Sequence, residues 1–130
     1  RDYKVTGVQT CALPILAVGG MGQVGNIDHL EGKSRIEVFR LPSGERLHEI
    51  EDSKYKGLVE KLQFSADQQW LLAAGGDNGG FLSVWSMQTG KLLAQEKVGN
   101  HLHAFEMLDE RRLVTVGHDQ AALLTLAGEE

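Results

Sequence analysis

The sequence predicts an all-β chain assembled from repeated four-stranded antiparallel sheets, on three observations. The first is a repeat: "IEVFRLPSGERL" (Ile36 to Leu47) lies over "LSVWSMQTGKLL" (Leu82 to Leu93) at a constant offset of 46 residues. Val38 falls on Val84, Phe39 on Trp85, Gly44 on Gly90 and Leu47 on Leu93. The second is a further pair of matches. "LLAAGGD" (Leu71 to Asp77) lies over "LVTVGHD" (Leu113 to Asp119) at an offset of 42, and "LAVGG" (Leu16 to Gly20) lies over "LAAGG" (Leu72 to Gly76). The third is local pattern. The segments are short and apolar, carry β-branched and aromatic residues, and are separated by Gly, Asn, Asp or Ser, which is the pattern of strands and turns. Periods of this length suit a four-stranded propeller blade, whose repeat is ~40–45 residues. The fold class is therefore all-β, a partial β-propeller built of four-stranded antiparallel blades.

Each element follows in order. Leu16–Gly20, Arg35–Leu41 and Arg46–Glu51 are three strands of a first unit, residues 16–51. Leu58–Ser65, Trp70–Gly75, Phe81–Met87 and Leu92–Val98 complete a second, residues 58–98. Leu102–Leu108, Arg112–Gly117 and Ala122–Leu126 are three strands of a third, residues 102–126, followed by a tail over 127–130. The turns Pro42-Ser43-Gly44-Glu45 and Gln88-Thr89-Gly90-Lys91 read as tight hairpins, in which Gly44 and Gly90 supply a positive φ that a residue with a Cβ adopts poorly. Ser43 and Thr89 can bond their own backbone there.

The N-terminus reads differently. The eleven consecutive residues "VTGVQTCALPI" (Val5 to Ile15) resemble the in-frame translation of a common DNA sequencing adapter. Residues 1–15 are accordingly excluded from the fold reasoning as non-native, and Cys11, the single cysteine, leaves with them. Residues 16–130 are then expected to be an internal piece of a longer gene.

Gly20, Gly22 and Gly25 spell G-x-G-x-x-G after an apolar run. A dinucleotide site needs that turn to open a helix whose N-terminal amides hold the pyrophosphate. "NIDHLEGKSR" follows instead, with Ile27 and Leu30 its only apolar residues, and no β-α alternation comes later. The glycines read as part of an insertion, Met21 to Ser34, on a hairpin loop. A nucleotide-binding enzyme is the distant alternative.

A net charge of −5, with Lys and Arg scattered, argues against a partner that is nucleic acid or an anionic membrane, since both demand a basic surface. His101 and His103 share a strand face, and His118 and Asp119 follow a neighbouring strand, a donor set of the type zinc accepts. Structural roles explain these residues better, and no metal and no cofactor is expected. Asp109-Glu110 and Glu129-Glu130 read as solvated carboxylates and not as an acid-base pair. Trp70 reads as an exposed or rim residue.

The repeats resemble WD repeats. Val59-x-x-Leu62-x-Phe64-Ser65-Ala66-Asp67, followed by Leu72-Ala73, is similar to that family's V-x-x-L-x-F-S-P-D-G…L-A segment. Leu82-Ser83-Val84-Trp85, followed by Thr89-Gly90-Lys91, is similar to its V-x-V-W-D…T-G-K segment. The usual Asp after the aromatic is Arg40 in the first unit and Ser86 in the second, and Thr125 stands near where the third unit would carry Trp. The resemblance implies that Val38, Phe39, Leu62, Phe64, Val84, Trp85, Thr115 and Asp119 are structural blade-packing residues. It also implies that His101 or His103, Thr115 and Asp119 form part of the family's buried hydrogen-bonded set, and that there are no catalytic residues. The function it implies is a non-catalytic protein-protein interaction scaffold. Its partners would be a protein of unspecified identity and the remaining blades of the parent propeller. The alternative is an accessory or sensor propeller of a larger enzyme or redox protein. Propellers close with ~4–8 blades, so the isolated chain is expected to be marginally stable or self-associating.

Overall fold

The computed structural model of the protein describes residues 4–10, 15–22, 32–77 and 79–127, with the backbone alone for 4–10 and 53. Eleven strands run through them: β1 (Lys4–Thr10), β2 (Ile15–Met21), β3 (Lys33–Arg40), β4 (Arg46–Lys56), β5 (Leu58–Phe64), β6 (Trp70–Gly76), β7 (Gly80–Ser86), β8 (Leu92–Lys97), β9 (Leu102–Met107), β10 (Arg112–Gly117) and β11 (Ala121–Thr125). They form three antiparallel sheets in simple chain order, β1-β2-β3-β4, β5-β6-β7-β8 and β9-β10-β11.

The 46-residue offset extends below the level of side chains. A register shift at Val38/Phe39 in the β3–β4 pairing recurs at Val84/Trp85 in β7–β8. In the first hairpin Gly44 N donates to Arg40 O and Arg40 N to Glu45 O; in the second Gly90 N donates to Ser86 O and Ser86 N to Lys91 O, each at 2.8 Å. Ser43 Oγ accepts from Glu45 N and Thr89 Oγ1 from Lys91 N, both at 3.3 Å. Gly44 and Gly90 sit at φ 75° and 72°. One sequence pattern thus builds one turn twice.

The middle sheet is covered on both faces along β6 and β7, while its outer strand β8 is exposed. Leu71 and Ala73 of β6, with Phe81 and Trp85 of β7, join Ala17, Ile36, Val38 and Ile50 of the first sheet in one buried cluster, to which β5 adds Val59, Leu62 and Phe64. Their immediate neighbours Leu72, Ala74, Leu82 and Val84 join Leu102, Phe105 and Leu113 of the third sheet in another. Alternate side chains leave opposite faces of a strand, so a strand buried on both faces becomes an apolar run, as in "LLAA". Val38 and Val84 are equivalent in this scheme: each turns toward the sheet that follows its own. Phe39, the equivalent of Trp85, faces away from the second sheet and is half-buried.

Trp85 is 7% exposed, and its indole Nε1 donates to Ser83 Oγ at 2.9 Å. A buried indole N–H needs such an acceptor. One repeat earlier the Ser position is Glu37. Its carboxylate accepts from Arg46 Nη1 at 3.0 Å and Arg35 Nη2 at 3.4 Å. Partial burial pushes the Glu37 pKa up, but the Arg46 hydrogen bond and the Arg35 charge outweigh it and hold the group below the ordinary carboxylate value.

Two expectations are corrected. The first unit has four strands, not three, because β1 lies within the segment excluded from the fold. β1 takes the position in its sheet that β5 and β9 hold in theirs, pairing with β2 from Lys4↔Met21 to Thr10↔Leu16. Pairing along a sheet edge uses backbone groups and asks little of the sequence, so it does not depend on where the segment originates. The insertion is also narrower than Met21 to Ser34. Those two residues face each other in the β2–β3 ladder, and Gly22 N donates to Lys33 O at 2.9 Å. Residues 23–31, Gly25 among them, lie outside the described residues.

Candidate interaction surface

Each sheet alternates direction and the links between sheets are short, so the β3–β4, β5–β6, β7–β8 and β9–β10 turns emerge at one end. The β6–β7 and β10–β11 connections emerge at the other, with the inter-sheet links. Side-chain polar contacts join described residues of neighbouring sheets. His48 Nε2 donates to the Met87 carbonyl at 2.7 Å. The buried Asp52 carboxylate accepts from Lys54 N and Tyr55 N at 2.8 and 3.2 Å, and from the side-chain amide of Gln95 in the second sheet. His101, buried in the third sheet, lies with Nε2 3.2 Å from Glu60 Oε1 of the second. None has a local sequence signature, since the partners stand 39 to 43 residues apart.

Gly90 belongs to the first of these contacts. A Cβ built on it would come within 2.6 Å of His48 Nδ1, whereas one on Gly44 would meet nothing within 4 Å. Both substitutions to Ala place a Cβ in the left-handed region, at a cost of about 1–2 kcal/mol. Gly90→Ala is expected to cost more than Gly44→Ala, because it also displaces the His48 ring. Urea unfolding of the two variants measures the difference, and equal costs would contradict the contact.

The sequence-derived packing residues fall as follows. Val38, Leu62, Phe64, Val84, Trp85 and Thr115 are buried; Phe39 is half-buried and Asp119 exposed. Asp119 is thus corrected: it does not pack between blades but accepts from Asn100 Nδ2 at 2.8 Å. Of the two histidines expected for the His–Thr–Asp set, His101 turns to Glu60 and His103 to His118. β11 carries no Trp to end such a chain of hydrogen bonds.

His101, His103 and His118 cluster, with ring centroids 4.6 to 5.4 Å apart. His103 Nε2 lies 3.2 Å from His118 Nδ1. Among the described residues no three His, Cys, Asp or Glu side chains are placed to hold a metal ion.

At the opposite end a cleft of about 770 Å³ opens between the β5–β6 and β9–β10 turns. Its walls include Phe64, Leu72, Met107 and Leu126. Trp70 and Leu108, which also line it, are 40% and 55% exposed. Sequence reasoning singled out Trp70 but not its partners, which come from a strand pair some forty residues on.

Both turns are fixed by a carboxylate. Asp67 Oδ1 accepts from Ser65 Oγ at 2.6 Å and Gln69 N at 3.0 Å. Asp109 accepts from Arg111 N at 2.9 Å, Arg112 N at 2.8 Å and Arg112 Nε at 2.6 Å. The Ser65 and Gln69 bonds hold the Asp67 pKa low. The Arg111 amide, then the Arg112 side chain and amide, draw Asp109 from 3.8 to about 2. A depressed carboxylate stabilises the fold above its unfolded pKa, and that contribution fades as pH falls toward its folded one. A carboxyl NMR titration should therefore find Asp109 ionised until pH nears about 2, and a midpoint near 3.8 would contradict the turn.

No protein-family model matches the sequence, and no curated protein does. Solved structures do. The β-propeller domain of Cps50 (Swd1) from Myceliophteria thermophila is similar over 98% of this chain, with a TM-score of 0.74 at 17% identity. The WD40 repeats of RRP9 are similar over 95%, with a TM-score of 0.69 at 14% identity. The chain spans 37% and 36% of those two proteins. Its two four-stranded sheets and one three-stranded sheet, stacked face to face, have the fold of part of a WD40 β-propeller.

Proposed function

We propose that the chain is part of a non-catalytic scaffold on which another protein docks. One observation carries this reading. The inner strands β6 and β7 of the second sheet are buried on both faces against the neighbouring sheets, so they serve packing, and the exposed outer strand β8, the connections and the rims are left to meet a partner. Loops held by a rigid framework are where binding residues concentrate. Likeness of fold alone fixes no function, so the reading rests on this division between packed strands and presented turns.

The test is photo-crosslinking of the gene product in its host, with benzoylphenylalanine at the exposed turn positions Ser43, Gln88, Glu110 and Gln120. A covalent adduct with a second polypeptide is expected from at least one turn. Adducts from none of them would overturn the reading.

A further inference from the structure

We infer that the cleft between the β5–β6 and β9–β10 turns is a docking site for an extended peptide carrying an Arg or Lys beside an apolar residue. The inference rests on the scaffold reading and names the surface and the class of partner.

Shape comes first. The cleft is formed by two neighbouring blades both present in this chain, so no further blade is needed to build it. Its volume, about 770 Å³, lies within the range of ligand pockets, ~300–1,000 Å³, and accommodates a few side chains. Phe64 and Leu72 are buried, while Met107 and Leu126 are half-buried, which gives an apolar lining for an apolar side chain. Trp70 and Leu108 are contributed by the two different blades and expose apolar surface. A rigid, half-exposed Trp beside a desolvated floor is the usual anchor of a protein contact.

Charge then selects the occupant. Asp67, Asp109 and Glu110 line the cleft against a single cation, Arg111. Asp109 is committed to Arg112 and shapes the turn. Glu110 makes no ion pair or side-chain hydrogen bond with a described residue, which leaves its carboxylate available to a ligand. A Lys or Arg stem laid on Trp70 would gain the ring face, the strongest of the aromatic faces for a cation, and place its charge among the carboxylates. An acidic peptide would meet repulsion at the same positions. Since the cleft is small, affinity is expected on the order of micromolar and weakened by salt.

The test uses the full chain, captured at low density through a terminal tag so that copies do not meet, and a phage library of random peptides. The inference expects enrichment of sequences with Arg or Lys next to an apolar residue. A synthetic peptide of the leading sequence should lose at least about tenfold in affinity on Glu110→Lys and on Leu108→Asp. Both substitutions are at exposed turn positions, and circular dichroism checks that each variant keeps its strands. Enriched peptides that are acidic, or that bind both variants as well as the parent chain, would overturn the cleft assignment and leave the scaffold reading standing. No enriched peptide at all would also overturn the cleft assignment, and the scaffold reading stands or falls on the crosslinking.

Discussion

Trp85→Ala is expected to destabilise the chain by about 3–5 kcal/mol, the transfer and cavity cost of a buried large aromatic side chain. Trp85 stands at the rim of the cluster joining the first and second sheets, 7% exposed. Its loss also removes the donor from Ser83 Oγ, a hydroxyl in a residue only 1% exposed, which adds about 1–3 kcal/mol if no other donor replaces it. Against a total of about 5–15 kcal/mol for an ordinary domain, that is a large share. Ser83→Ala probes the hydrogen-bond contribution, since it removes the indole's acceptor and leaves the ring in place. Urea unfolding followed by far-UV circular dichroism is the suitable readout, because Trp70 also contributes to fluorescence. An unchanged midpoint in Trp85→Ala would show that the indole does not join the blades.

Leu72→Ala is expected to cost about 2–5 kcal/mol at the other interface. Leu72 is 1% exposed and belongs to the cluster shared with Leu102, Phe105 and Leu113 of the third sheet. Leu123→Ala serves as the comparison. Leu123 is 61% exposed, on the face of the third sheet turned away from the second, and its truncation should stay within about 0.5 kcal/mol. Urea unfolding of the pair tests the contrast. Similar costs at the two positions would mean that the third sheet packs by its other face.

Much of this architecture was legible in the sequence because the packing is periodic. Strands buried on both faces produce the apolar runs of β6 and β7, and the glycines at Gly44 and Gly90 mark equivalent turns. Strand ends fell within a residue or two almost everywhere. The exception is β4, expected to end at Glu51, which continues to Lys56. Near its end the backbone amides of Lys54 and Tyr55 donate to Asp52, whose partner Gln95 lies in the next blade. Contacts of that kind, with His48–Met87 and His101–Glu60, depend on which blades become neighbours and leave no local trace. Asp119, which the family resemblance places in a buried set, is exposed and accepts from Asn100. The cleft was the least legible feature: Trp70 marks one wall, but the opposing wall belongs to a hairpin that only stacking brings near.

The account depends on the middle sheet being shared by two neighbours, and Ala73 and Ala74 report on that directly. They are consecutive residues of β6, and each is 0% exposed. Nuclear Overhauser contacts from the two methyl groups distinguish their surroundings. The account predicts that the Ala73 methyl meets protons of the first sheet's cluster, Ala17 and Val38 among its members, and that the Ala74 methyl meets those of Leu102, Phe105 or Leu113 in the third. Both methyl groups reporting the same sheet, or either reporting water alone, would contradict it.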